Sequence, residues 1–192
     1  MRKKIETRDR RILRLKKKLD EAIKDYREKA GETGWKLEGK LLREIRGKKQ
    51  LSKQTLRDIG DWKSQNRNLH WIEKNRPQDI GRTTRLAFRE RDVRKKLTIL
   101  SEGLLGVANR TASAILMFHN PRRYTVMDEF AWTVLHEFGF LDEPPSYYGA
   151  QHYVTYLDVC KQLSEALSIS LRKLDRGLWV LGKEISEASD SD

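Results

Sequence analysis

Apolar residues recur along most of the chain at spacings of three and four rather than two, a pattern that predicts helices. Ile12, Leu15, Leu19, Ala22, Ile23 and Tyr26 mark one face of a helix over 7–30 whose other faces carry Lys and Arg. Glycines at 31 and 34 end it, and a shorter helix follows over 37–45. Gly47, Lys48 and Lys49 form a basic loop, and Ser52 is placed to cap a helix in which Leu56, Ile59 and Trp62 share a face. Residues 63–79 are polar and interrupted by Pro77, with a short apolar centre at Leu69, Trp71 and Ile72. Two helices are expected between Ile80 and Leu100, with Leu86, Phe88, Val93, Leu97 and Leu100 inward and seven Arg and Lys residues outward, Lys96 among them. Leu163, Leu167, Leu171, Leu174, Leu178 and Leu181 mark the closing core helices, with Trp179 beside them. The fold class predicted is all-α.

A chain of 192 residues with 38% hydrophobic content can bury one sizeable core. The organisation expected is a basic helix over 1–35 packed on or extending the core, a helical domain over 36–187 and an acidic, frayed tail over 188–192. No apolar run reaches the roughly 20 residues needed to cross a bilayer, and charges follow Met1 where a secretory segment would be apolar. Cys160 is the single cysteine, which excludes an intrachain disulfide and a four-cysteine metal site and fits a reducing, cytoplasmic location. The expectation is a monomer with no membrane partner and no metal.

Charge changes the picture more. The net charge is +12, but residues 1–100 carry 32 basic and 15 acidic side chains, whereas residues 101–192 carry 8 and 13. Such a basic half calls for a polyanion or for extensive solvation. The first helix is either a solvated exterior with one packed stripe or a phosphate-binding arm. In the same half, Trp71 among basic residues is either a core anchor or a stacking platform.

The stretch from Leu97 to Leu135 concentrates the chemistry. A helix ending near Glu102, the turn GLLGVA and a helix starting at Asn109 or Arg110 predict a helix-hairpin-helix. The amides of Gly106, Val107, Ala108 and Asn109 would converge on a phosphate, with Arg110 and Thr111 beside them; an ordinary αα-turn is the plain alternative. Small residues at Ala112, Ser113 and Ala114 let the second helix lie close to the first. Arg122 and Arg123 make a basic loop, after which Asp128 opens the helix EFAWTVL as its N-cap. Further on, Tyr147, Tyr148 and His152, with Trp132, either line a pocket for an extruded base or pack into the core.

These residues resemble the helix-hairpin-helix DNA glycosylases of the short prokaryotic type. LLGVANRTASAIL is similar to the family's hairpin and small-residue helix, and TVMDEFAWTVL to the segment bearing its catalytic aspartate. Gly106 and Asp128 are 22 residues apart, a separation similar to the family's. The likeness covers residues 92–139, continues toward 183 and does not reach the first 75. Two departures stand out. Ala108 replaces the second hairpin glycine, and Arg110 stands where the members that also cleave the backbone have a lysine.

What the resemblance implies is a monofunctional DNA glycosylase, since a guanidinium cannot form a Schiff base. Asp128 would stabilise the positive sugar and orient water, and residues 106–111 with Arg122 and Arg123 would hold duplex DNA with one base extruded. No cofactor is implied beyond a monovalent cation at the hairpin. Whether the base is damaged or a modification of phage DNA, and the role repair or defence, stays open. A non-catalytic DNA-binding module and an RNA-binding protein are the alternatives.

Overall fold

The computed structural model describes residues 7–189, and among them every regular element is helical. In chain order these are α1 (Arg8–Ile45), α2 (Lys53–Ser64), α3 (Leu69–Ile72), α4 (Pro77–Arg89), α5 (Val93–Gly103), α6 (Asn109–His119), α7 (Glu129–Glu137), α8 (Ala150–Ala166) and α9 (Leu171–Ser189). The six N-terminal residues and the last three of the acidic tail lie outside the described residues.

The two helices expected over 7–30 and 37–45 are one kinked element. Only Gly31, with φ at +71°, departs from helical geometry within α1. Glycine reaches that region without the steric cost another residue would meet, so the chain turns there and resumes its helix. Leu15, Leu19, Ala22 and Tyr26 are buried as their spacing predicts, and this stripe packs on α9. Gly177 makes the approach close, because a Cβ there would stand 2.7 Å from Leu19 Cδ2. The basic helix is therefore part of the core.

α6 is the centre of the molecule. Apart from Arg110, its residues from Asn109 to Phe118 are all buried, as suits a helix enclosed on every side. Trp62 of α2 meets Phe118 edge to face at 4.9 Å between ring centroids. All six leucines expected in the closing core are buried.

Two expectations in the basic half, for Leu86 and Lys96, are corrected, and the open reading of Trp71 is narrowed. Leu86, expected inward, is 56% exposed. Lys96, expected outward, is buried, with its ammonium donating to the carbonyls of Ala87 and Phe88 at 2.8 and 3.1 Å; those carbonyls, at the end of α4, lack helical partners and attract a cation. Trp71 is 47% exposed, with the Lys74 ammonium 4.0 Å from its ring centroid, while Leu69 and Ile72 take the core positions.

The other buried charges form a cluster between α1 and α9. Glu38 is completely buried and accepts from Tyr26 Oη at 2.6 Å, from Arg172 Nε and Nη2 at 2.8 and 2.6 Å, and from Arg176 Nη2 at 2.6 Å. Burial alone would raise the Glu38 pKa, but the charge and hydrogen bonds of Arg172, with help from Arg176 and Tyr26, hold it at about 2.

Candidate active site

The turn between α5 and α6 is braced from outside. Gly106 has φ at +76°, and a Cβ on it would come within 2.9 Å of the Ile72 amide nitrogen and 3.0 Å of the Asn68 carbonyl oxygen. Asn68 Nδ2 donates to Gly106 O at 2.6 Å. Asn75 forms a reciprocal pair with Leu105, Nδ2 to O and Oδ1 from N, each 2.9 Å. The carbonyls of Leu105 and Gly106 thus each accept one side-chain hydrogen bond. Ala108 holds the cap position before α6, and its methyl group cannot cap, so the first-turn amides have no side-chain acceptor from that position. That end attracts an anion.

Around the turn the predicted contact residues divide. Ala108 is exposed and Arg110 is partly exposed, whereas Val107, Asn109 and Thr111 are buried. Asn109 Nδ2 donates to Tyr147 Oη at 3.3 Å. Arg122 and Arg123, both exposed, follow the far end of α6; eleven residues of helix put roughly 16 Å between the two ends. Arg123 lines a second cleft there with Lys96 and His119.

Asp128 caps α7, accepting from the Phe130 amide at 3.1 Å. Two contacts carry this cap to the start of α6. Ser113 Oγ donates to the Arg110 carbonyl at 2.7 Å and accepts from the Met127 amide at 2.9 Å. Arg110 pairs with Glu129 at 3.1 Å. The aspartate, the basic side chain and the uncapped helix start are consequently neighbours. Glu129 serves as the exposed partner of Arg110.

The second partner of Asp128 is Lys63, from the end of α2, whose Nζ donates to Oδ2. The two side chains are only 10% and 15% exposed. Burial alone would raise the Asp128 pKa, but the Lys63 charge and hydrogen bond, the Phe130 amide and the charge of Arg110 outweigh it and hold the carboxyl below its ordinary range. Asp128 is therefore a carboxylate at neutral pH.

Lys63 and Asp128 stand together in a cleft of ≈ 440 Å³ between α1, α2, α7 and α9. Its aromatic walls are Tyr26, Trp62, Phe130 and Trp179. Arg172 and Asp175 supply a fixed donor and acceptor, paired with one another and anchored by Glu38. Aromatic walls with convergent charged and polar groups, Asp61 and Arg67 also among them, suit a ligand that is both stacked and hydrogen-bonded.

No family model, curated protein or solved structure matches the chain.

None of the four aromatic residues singled out in the sequence lines this cleft. Trp132 is buried, stacks on Tyr156 at 5.7 Å and donates through Nε1 to Asp142 O. His152 Nδ1 accepts from the Gly149 amide and caps α8. Tyr147 is exposed. Tyr148 lies edge-on to Trp132 at 5.6 Å and under the Arg110 guanidinium at 5.4 Å, with its hydroxyl buried and unpartnered. The cleft's own residues come from segments far apart in sequence, which periodicity assigns to core or surface. In the WKSQNR stretch Trp62 and Lys63 adjoin, but an aromatic beside a cation recurs at Tyr26–Arg27 and Trp35–Lys36 and so marks no site by itself.

Proposed function

We propose that the protein is a DNA N-glycosylase that releases a damaged or modified base into the cleft beside Asp128. The observation that carries this reading is the placement of one largely buried, ionised carboxylate at a helix N-terminus, lining a cleft with aromatic walls and next to an uncapped helix start. Cleavage of an N-glycosidic bond develops positive charge on the sugar, and a fixed carboxylate in a site of low dielectric stabilises it. A phosphate held by the first amides of α6 and by Arg110 would bring C1′ of the neighbouring nucleotide to Asp128. Its base, turned out of the stack, would lie between Tyr26, Trp62, Phe130 and Trp179.

In this reading the partner is duplex DNA with one nucleotide extruded, the protein acts as a monomer in the cytoplasm, and base release needs no metal. The test is incubation with duplexes carrying oxidised, alkylated, deaminated, mismatched and bulky modified bases, followed by hot alkali to break abasic sites. Release of one class that is lost in Asp128→Asn supports the reading. Binding without release of any base would leave a DNA-binding module.

A further inference from the structure

Arg110 offers no amine, which is why the family resemblance implies hydrolysis without strand cleavage. The fold supplies an amine from elsewhere. Lys63 Nζ contacts the Asp128 carboxylate inside the cleft, on a residue 65 positions earlier in the chain. We infer that Lys63 is a covalent nucleophile at the sugar, giving the protein strand-cleaving activity at abasic sites; this rests on the glycosylase reading above.

Three observations point to that role rather than to a counterion. Both members of the pair line the cleft, so the amine stands where a sugar held beside Asp128 would meet it. Asp128 already has an amide donor in Phe130 and a second cation nearby in Arg110, so it does not depend on Lys63 alone to stay ionised. The cation is a lysine. An ammonium that transfers a proton becomes an amine nucleophile, which a guanidinium does not.

The chemistry balances with the groups present. A proton passes from Lys63 Nζ to the Asp128 carboxylate as the nitrogen lone pair forms a bond to C1′. The bond from C1′ to the base breaks with its electrons going to the base, which Asp128 reprotonates. The nitrogen, now a secondary ammonium, gives a second proton to the Asp128 carboxylate and regains its lone pair; that pair expels O4′, which takes the proton from Asp128, and a protonated Schiff base forms between Nζ and C1′. Asp128 removes a proton from C2′, and the 3′ phosphate leaves with the electrons of the C3′–O bond. Water hydrolyses the Schiff base and frees Lys63. On a sugar that has already lost its base, the amine condenses with the C1′ aldehyde and releases water, so the step can be tested without knowing the base.

The probe is a duplex containing one preformed abasic site, incubated with the full chain and borohydride. Wild type should be trapped covalently and, without borohydride, should nick the strand. Lys63→Arg keeps the charge beside Asp128 and loses the amine; it should bind the duplex within a few-fold of wild type, with trapping reduced at least 100-fold. Peptide mass spectrometry of the trapped wild type should find the reduced deoxyribose on Lys63, a readout independent of how any variant folds. Trapping at another lysine or at the N-terminal amine, or tight binding with no trapping, overturns the role of Lys63 and leaves base release standing. Failure to bind abasic or base-modified duplexes at all overturns the glycosylase reading and this inference with it.

Discussion

Gly182 of α9 lies against the backbone of Phe130 so closely that a Cβ would sit 2.2 Å from the Phe130 carbonyl oxygen. No side chain can yield there, because the atoms met are backbone. Phe130 also donates its amide to Asp128, so the glycine on the last helix fixes the height of the carboxylate in the cleft.

Gly182→Ala should therefore displace the start of α7 while leaving the cleft's charges unchanged. Overpacking of this kind costs typically 1–3 kcal/mol, and misplacing a reacting group by about an ångström can cost 10²-fold in rate. The expected result is a lowered thermal midpoint with base release falling much further than DNA affinity. Equal losses in both would detach this contact from the positioning of Asp128.

Asp128→Asn should reduce base release about 10²-fold or more, the scale of a removed transition-state charge contact, with DNA affinity held within a few-fold. Asparagine caps a helix as well as aspartate does, so α7 should keep its start by circular dichroism. The pH profile gives a second check. Because the Asp128 carboxyl is held below its ordinary range, wild-type kcat/KM should persist in acid and fall only as pH drops through that lowered value. Lys63→Gln removes the leading charge opposing protonation, so its acid limb should move to higher pH, whatever its absolute rate. An unmoved limb would mean that another group sets the profile.

The helices and their buried faces were legible in the sequence because the apolar period reports burial directly, as Leu15, Leu19 and the six closing leucines illustrate. The position of the turn before Asn109 and the capping role of Asp128 were legible too, since both depend on local backbone chemistry. The cleft was not. Tyr26, Trp62, Lys63 and Arg172 meet only through tertiary packing, and each alone has an ordinary reading as core or surface. For Tyr148 and His152 the sequence left pocket and core open, because which it is depends on a distant partner: both rings meet Trp132 of α7 edge to face. Gly31 failed as a stop signal because a single residue with positive φ is enough to turn a helix without ending it.

Glu38 predicts an acid-sensitive fold. Its carboxyl, ordinarily near 4.5, is held at about 2 in the folded protein. A depressed carboxyl stabilises the fold above its unfolded value, and the contribution is lost as pH falls from about 4.5 toward 2. The difference is worth on the order of 3 kcal/mol. Urea midpoints should decline across that window, and the decline should flatten in Glu38→Gln. That variant should also be less stable at pH 7 by about 3–5 kcal/mol, because it leaves the buried Arg172 without its charge partner. An unchanged acid dependence would show that other carboxyls govern it.

The charge asymmetry calls for a test that respects the packing of α1. Removing residues 1–30 would strip Leu15, Leu19, Ala22 and Tyr26 from the core, so the truncation would measure folding rather than binding. Point changes separate the two. Tyr26 and Ala30 line the cleft, but Arg11 and Arg14 lie over the rings of Phe140 and Phe138 beyond the far end of α7. Lys17 and Lys18 sit toward that distant end, about 20 Å along the helix from Ala30. Removing one cation that neutralises a phosphate should flatten the dependence of log affinity on log salt by roughly 0.9. Arg67, exposed at the cleft's edge, and Arg110 should each flatten the slope when changed to Ala, and Arg110→Ala should also slow base release because it lies beside Asp128. Arg122 and Arg123, beyond the opposite end of α6, should flatten the slope without slowing release at saturating DNA. Lys17→Gln with Lys18→Gln should leave the slope as it is. A flattened slope in that last variant would mean that DNA runs along α1 as well, and that the outer face of the first helix is a second binding surface continuous with the cleft.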